Sequence, residues 1–318
     1  PITFFEICTA AFFLGASRSK SDITIVESGL FHRFDACSVI KKNIASVITP
    51  IGIDHLDWLP KNNRNIDRII FEKTSRLLNS KIIIAEQSSK KIADKIEKSI
   101  KNNNSKKIFF KRDFNYTLDK NNFFYYKDKN DILKLPYPKL LGEFQISNIS
   151  TAIAALRNLD IIKVNKKNIK FGIKKIKSIA RIQEIKKGKL KKLSNNNTLI
   201  IDGSHNPLGA SVLKKYLDSL NNNKNIFMIL GMMKNKDHIK FISYFKNTVK
   251  CIFPVNIPKE KNSIKKIQLK KIIDRVGIKS KITKNITAAI KEINSKNKKS
   301  IILITGSLYL AGKVINLN

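Results

Sequence analysis

Hydrophobic positions in this chain switch repeatedly between a helical and a strand period. Thr3-Phe4-Phe5-Glu6 has the spacing of a capping box, and the apolar run behind it predicts a helix to about Leu14. Ile23-Thr24-Ile25-Val26 predicts a short buried strand over Asp22–Glu27, ending on an acid. Ala45–Thr49 predicts another, and Ile51-Gly52-Ile53-Asp54-His55 follows Pro50. Asn65–Leu78 has helical periodicity, and Lys81–Ala85 is again strand-like. Lys106–Lys111, Tyr116–Leu118 and Phe123–Tyr126 predict a strand and hairpin region that turns at Asn121-Asn122. Gln145–Leu159, rich in Ala and Ile, predicts a helix. Strands that alternate with helices argue for an α/β fold with a mainly parallel sheet and helices on its faces.

Lys174–Ala180 is a mostly polar link, after which the alternation restarts. Thr198–Ile201, Asn225–Leu230, Cys251–Phe253, Lys281-Ile282 and Ser300–Thr305 predict strands. Pro207–Leu220, Lys236–Phe245, Ile264–Val276, Ile286–Asn294 and Ser307–Val314 predict helices. Two α/β domains result, residues 1–177 and a Rossmann-like unit over residues 178–318. Neither an internal repeat nor a long disordered tract is expected, and Lys101–Lys107 reads as a polar loop.

A net charge of +38 would suit a nucleic-acid partner. The lysines, however, are spread along the whole chain and mixed with Asn and Ile, as in Lys166–Lys175 and Lys261–Lys271. That mixture fits a coding bias better than a basic recognition helix, so no nucleic-acid partner is expected. The most apolar segment, Ile7–Gly15, is too short to span a bilayer, so no membrane partner is expected either. Cys8, Cys37 and Cys251 are scattered, which points to free thiols in a reducing compartment, the cytoplasm.

The most informative stretch is Ile201-Asp202-Gly203-Ser204-His205-Asn206-Pro207, directly after Leu199-Ile200. A buried strand ends there in a tight turn, and Pro207 suits the first position of a helix. Such a turn aims backbone N–H groups and the positive end of a helix dipole at whatever lies above it, a place for phosphate. An ordinary capped turn would look the same in these residues. Glu27 ends one predicted strand and His55 follows the next, where open α/β sheets bind ligands. A carboxylate and an imidazole there could hold a divalent cation, or be a solvated acid and a loop histidine. Lys73, beside Glu72 on the predicted helix, is a solvated charge unless buried. Burial would lower its pKa and leave a neutral amine able to react with carbon dioxide.

The segments Thr3–Ala11, Glu27–Ala36, Ile51–Leu59, Glu72-Lys73, Leu140–Ala155, Arg181, Asp202–Pro207, Gly231–Asp237 and Gly306–Leu310 follow one another as in a known family. Their order resembles folylpolyglutamate synthase/dihydrofolate synthase, a member of the Mur ligase family. The resemblance implies a Mur ligase central, ATP-binding domain followed by the family's C-terminal domain. It implies an ATP-dependent ligase that joins glutamate to a folate or dihydropteroate carboxylate through an acyl phosphate. ATP and Mg²⁺ are the implied cofactors, and the protein is expected to be a monomer. By the same resemblance Glu27 and His55 bind Mg²⁺ and Lys73 is carbamylated. Gln145, Asn148, Arg181 and Asp202 lie near the nucleotide, and His205 near the phosphate and the incoming amine.

The sequence departs from the family pattern in places. No G-x-x-x-x-G-K-[ST] occurs, so an N-terminally truncated central domain is expected. Phe31-His32 replaces a Gly-Gly ahead of Arg33, Phe144 a histidine, and Ala180 a glycine, and the gap from His55 to Lys73 is longer than usual. The alternatives are another Mur-type amino-acid ligase and a catalytically silent remnant.

Overall fold

Thr3 starts the first helix as the pattern predicts. Its N–H donates to the Glu6 carboxylate at 2.7 Å, and its hydroxyl accepts the Glu6 N–H, a complete capping box. The resulting helix α1 (Phe4–Arg18) runs past Leu14 by a further turn. The computed structural model describes residues 2–220, 224–297 and 299–318. Two compact units emerge. One comprises Pro1–Leu118, Tyr125–Lys134 and Ser147–Lys166, the other Asp119–Phe124, Leu135–Ile146 and Lys167–Asn318.

The first unit is built on β1 (Ala45–Ile48), α2 (Ile66–Thr74), β2 (Lys81–Ile84), α3 (Lys90–Ser99) and β3 (Lys107–Phe109). The strands form a three-stranded parallel sheet in the order β1-β2-β3, with Ala45 opposite Lys81 and Ile82 opposite Lys107. Alternate residues of β2 face one way, so Ile82 and Ile84 pack with Ile69 and Ile70 of α2 and Ile96 of α3. Each such buried side chain contributes about 2 kcal/mol. The sequence reading missed α3, because lysines hide its Ile92–Ile96 stripe.

Asp22–Glu27 is not a strand. A strand must pair its N–H and C=O groups along a ladder. Residues 22–27 join no sheet among the described residues, and Ile25 is left 88% exposed. Beyond β3 come β4 (Phe114–Leu118), β5 (Phe123–Asp128) and β6 (Ile132–Pro136), a second three-stranded sheet in chain order. The predicted turn between β4 and β5 is present, with Asn122 in left-handed backbone. Helix α4 (Phe144–Arg157) matches its prediction closely. The unpredicted α5 (Lys166–Lys175) buries Ile169 and Ile173, one turn apart, beneath its lysines, so the polar link begins after Lys175 rather than at Lys174.

The second unit contains β7 (Gln183–Glu184), α6 (Lys189–Ser194), β8 (Thr198–Ile201), α7 (Pro207–Ser219), β9 (Ile226–Leu230) and α8 (His238–Ser243). It continues with β10 (Cys251–Pro254), α9 (Lys266–Val276), α10 (Ile286–Lys296), β11 (Ile301–Thr305) and α11 (Leu308–Leu317). The sheet order is β10-β9-β11-β8-β7, parallel from β10 to β8, with β7 antiparallel to β8. It is therefore a mixed sheet. Strict alternation divides its side chains between two cores. Phe227, Ile229, Ile302 and Ile304 meet α10 and α11, while Met228, Leu230, Ile301 and Leu303 meet α7, α8 and α9. Lys281-Ile282 forms no strand. The Lys281 backbone N–H donates to the Ile252 carbonyl at 3.1 Å, and neighbouring Ser280 makes an isolated bridge, without a ladder.

Candidate functional site

The turn after β8 has the predicted form. Asn206 caps α7 by accepting the Gly209 N–H at 2.8 Å, and Pro207 occupies the first helical position. Asp202, 3% exposed, accepts the Ser204 N–H at 2.8 Å and the Ile182 N–H at 2.9 Å. Its carboxylate therefore braces both the turn and the segment carrying Arg181. His205 Nδ1 lies 2.9 Å from the Gly203 carbonyl oxygen, which fixes the ring's direction.

Gly203 has no room for a side chain. A Cβ there would strike Leu308 Cδ2 and come 3.2 Å from Arg181 Nη1. At the neighbouring strand end, a Cβ on Gly306 would lie 2.6 Å from the Gly231 carbonyl oxygen. Gly306 has φ +107°, open to glycine and costly for other residues. The carboxyl ends of β8, β9 and β11 thus close on one another through bare backbone, with the exposed Arg181 beside them. A guanidinium next to N–H groups at a helix start is suited to a phosphate-bearing ligand.

In the first unit, His55 and Lys73 meet the same aromatic ring. Phe31 lies edge-on to the His55 imidazole, ring centres 6.2 Å apart. The Lys73 Nζ stands 5.7 Å from the Phe31 centroid and donates to the Leu30 carbonyl at 3.0 Å. Burial pushes the Lys73 pKa below the ordinary lysine value, against the opposing charge of Asp54. Asp54 accepts the His55 backbone N–H at 2.8 Å and lies 3.6 Å from His55 Nε2. His55 has φ 56°, a left-handed conformation at the start of a short helical turn.

Glu72, 6% exposed, ties this arrangement down. Its carboxylate lies 2.6 Å from Arg68 and 3.3 Å from Arg33, and its carbonyl accepts the N–H groups of His32 and Arg33. Residues 30–33 are thereby held over α2, which explains why Phe31 reaches Lys73. The sequence reading passed over Phe31 and Asp54 as site residues. Asp54 could have been found from its place next to His55, whereas the position of Phe31 depends on a contact across the fold.

Glu27 lies on the exposed irregular stretch. Among the described residues no group of three or more His, Cys, Asp or Glu is placed to hold a metal ion. Glu27 and His55 could therefore supply at most part of a cation's shell. Mg²⁺ suits such a partial set, since phosphate and water oxygens commonly complete its octahedron. Gln145 and Asn148 both lie in the first turns of α4, Gln145 buried and Asn148 exposed. A cleft of about 410 Å³ lies elsewhere, at the amino ends of β1, β2 and β3, lined by Asn43, Ser80, Lys81, Ser105, Lys106 and Asp160 among others. It contains none of the candidate residues, and ligands of open α/β sheets bind at the opposite, carboxyl ends.

Cys8, Cys37 and Cys251 are free thiols. No helix among the described residues is long and apolar enough to cross a membrane.

Residues 3–156 match the Mur ligase middle domain, and residues 183–317 match the C-terminal domain of dihydrofolate synthetase. The dihydrofolate synthase/folylpolyglutamate synthase of Buchnera aphidicola subsp. Baizongia pistaciae is 28% identical over 329 residues, covering 99% of this chain and 71% of that protein. The Escherichia coli K12 protein of the same name is 26% identical over 253 residues, 78% of this chain and 54% of its own length. Among solved structures, E. coli FolC in complex with DHPP and ADP superposes with TM-score 0.85 at 22% identity, over 99% of this chain and 70% of that one. The Yersinia pestis bifunctional folylpolyglutamate synthase/dihydrofolate synthase, complexed with AMPPNP and Mn ion, gives TM-score 0.82 at 18% identity, over 99% and 71%.

Proposed function

The chain belongs to the Mur ligase family, in its folylpolyglutamate synthase/dihydrofolate synthase branch, and we propose that it is an ATP-dependent ligase adding glutamate to a folate or dihydropteroate carboxylate. In this reaction a substrate carboxylate attacks the γ-phosphorus of ATP and releases ADP. The glutamate amine then attacks the acyl phosphate carbon, phosphate leaves, and an amide remains. Such chemistry needs charge neutralisation and alignment more than covalent help from the protein.

The observation that carries the reading is the exposed Arg181 beside the Asp202–Pro207 turn, at the carboxyl ends of parallel strands. Arg181, Asp202, Gln145 and Asn148 are assigned to the nucleotide. Glu27 and His55 are assigned to Mg²⁺, which when bound would neutralise phosphate charge. Lys73, whose burial favours the neutral amine, is assigned as the lysine that takes up carbon dioxide as a carbamate. His205 is assigned to the neighbourhood of the phosphate and the incoming amine. We assign residues 1–177 to the central domain and 178–318 to the C-terminal one. The partners on this reading are small molecules, and the protein acts as a cytoplasmic monomer.

The test is ATP turnover with each carboxylate and amino acid supplied singly and together. ADP release that requires glutamate and either dihydropteroate or a folate is the expected result. Turnover that answers to a different amino acid would assign the chain to another Mur-type ligase. No turnover with any pair would overturn the reading.

A further inference from the structure

Arg181 sits between two residues in a backbone region that L-amino acids seldom enter. Ala180 has φ 55° and Ile182 has φ 48°. For a side chain branched at Cβ this conformation is an outlier that the surroundings must hold. Three hydrogen bonds hold it, one within the turn and two to the turn after β8. Gln183 Oε1 accepts the Ala180 N–H at 3.0 Å. Asp202 Oδ2 accepts the Ile182 N–H at 2.9 Å, and the Ala180 carbonyl accepts the Gly203 N–H at 2.8 Å. Ala180 and Ile182 are 2% and 1% exposed, while Arg181 between them is exposed. The turn therefore buries its two strained residues and projects one guanidinium.

Gln183 has the leverage to keep this turn shut. It begins β7, where it pairs with Ile201, the residue before Asp202. Its side-chain oxygen accepts the N–H of the buried Ala180, and a buried N–H left without a partner is costly. Relief without Gln183 would come from rotating Ala180 out of the left-handed region, which carries Arg181 away from Gly203.

We infer that Gln183 is a positioning residue: its side-chain oxygen, together with the Asp202 carboxylate, clamps the left-handed turn that aims Arg181 at the phosphates of the nucleotide. The inference rests on the assignment of Arg181 to the nucleotide given above. It adds a residue that makes no contact with the ligand, and it gives Asp202 a second task as the other jaw of the clamp.

The experiment measures ADP binding by calorimetry and amide hydrogen exchange on the 318-residue protein. Gln183→Met keeps the volume and removes the acceptor; Gln183→Glu keeps the acceptor. Gln183→Met should weaken ADP binding about tenfold and speed exchange at Ala180, while Gln183→Glu should stay near wild type. Combined with Arg181→Ala, Gln183→Met should add no further loss, because both act through one guanidinium. Ala180→Gly in the Gln183→Met background should recover affinity, since glycine takes positive φ without a clamp. ADP binding that survives Gln183→Met, an additive double variant, or unchanged exchange at Ala180 each overturns the clamp. Wild-type protein that does not take up ADP overturns the nucleotide assignment itself, and the phosphate role of the clamp with it.

Discussion

Lys73 donates from Nζ to the carbonyl oxygen of Leu30 at 3.0 Å, joining helix α2 to a segment 43 residues upstream. The bond sets the amine beside the Phe31 ring and away from bulk water, which is why burial lowers its pKa. If its neutral form takes up carbon dioxide, an arginine cannot replace it, because a guanidinium stays protonated. Lys73→Arg is expected to keep the fold and to lose glutamate incorporation by about 10²-fold. Radiolabelled glutamate incorporation beside a melting curve checks both halves. Normal ligation by the arginine variant would remove the carbamate from the scheme.

Glu27 and His55 are expected to act on the chemical step. Replacing either with Ala should lower kcat at saturating ATP by about 10²-fold, since a metal ligand acts on transition-state charge. Steady-state kinetics with varied Mg²⁺ measures this. A Glu27 variant with unchanged kcat would separate the exposed Glu27 from the His55–Phe31–Lys73 cluster.

The turn after β8 separates chemistry from stability in adjacent residues. His205→Ala should reduce amide formation and leave the melting temperature nearly unchanged, because a turn residue buries little apolar surface. Asn206→Ala removes the cap of α7 and should cost about 1 kcal/mol. Thermal melts and a glutamate-incorporation assay on both variants check the contrast. Early unfolding of His205→Ala would make that residue structural.

Asp128 supplies a pH-dependent part of the first unit's stability. Burial alone would raise its pKa, but Arg157 at 2.7 Å and the N–H groups of Asn130 and Asp131 bring it below the ordinary aspartate value. A carboxylate with a depressed pKa in the folded state stabilises fully above its unfolded value, 3.8 here, and loses that contribution as pH falls through the folded pKa. Asp128→Ala should cost about 3 kcal/mol at neutral pH, because it leaves the largely buried Arg157 short of its main partner. Denaturant melts of both proteins at neutral pH and well below pH 3.8 should show the difference shrinking in acid. A difference that persists unchanged would mean the loss is one of packing.

The residues of the second unit made its core legible in advance. Ile226–Leu230 and residues 301–304 are apolar throughout, as strands covered on both faces must be, and each side chain's face follows from the period of two. Thr3 and Pro207 marked helix starts because a helix-start signal acts within one turn and needs nothing distant. The Asp202–Pro207 turn was visible for the same reason.

What tertiary structure alone decided depends on partners far apart in the chain. Ile23-Thr24-Ile25-Val26 has strand composition, but no neighbouring ladder pairs it, and Ile25 is 88% exposed. Lys73 becomes half-buried only because Glu72 holds the backbone of His32 and Arg33, and with it Phe31, against α2. Asp202 reads as an ordinary turn carboxylate until its Oδ2 is found on the N–H of Ile182, 20 residues upstream. Side-chain period and capping are written in consecutive residues, and the sequence alone determined them. Burial, strand pairing and the strain around Arg181 come from contacts between residues the sequence does not place together, so the folded chain had to supply them.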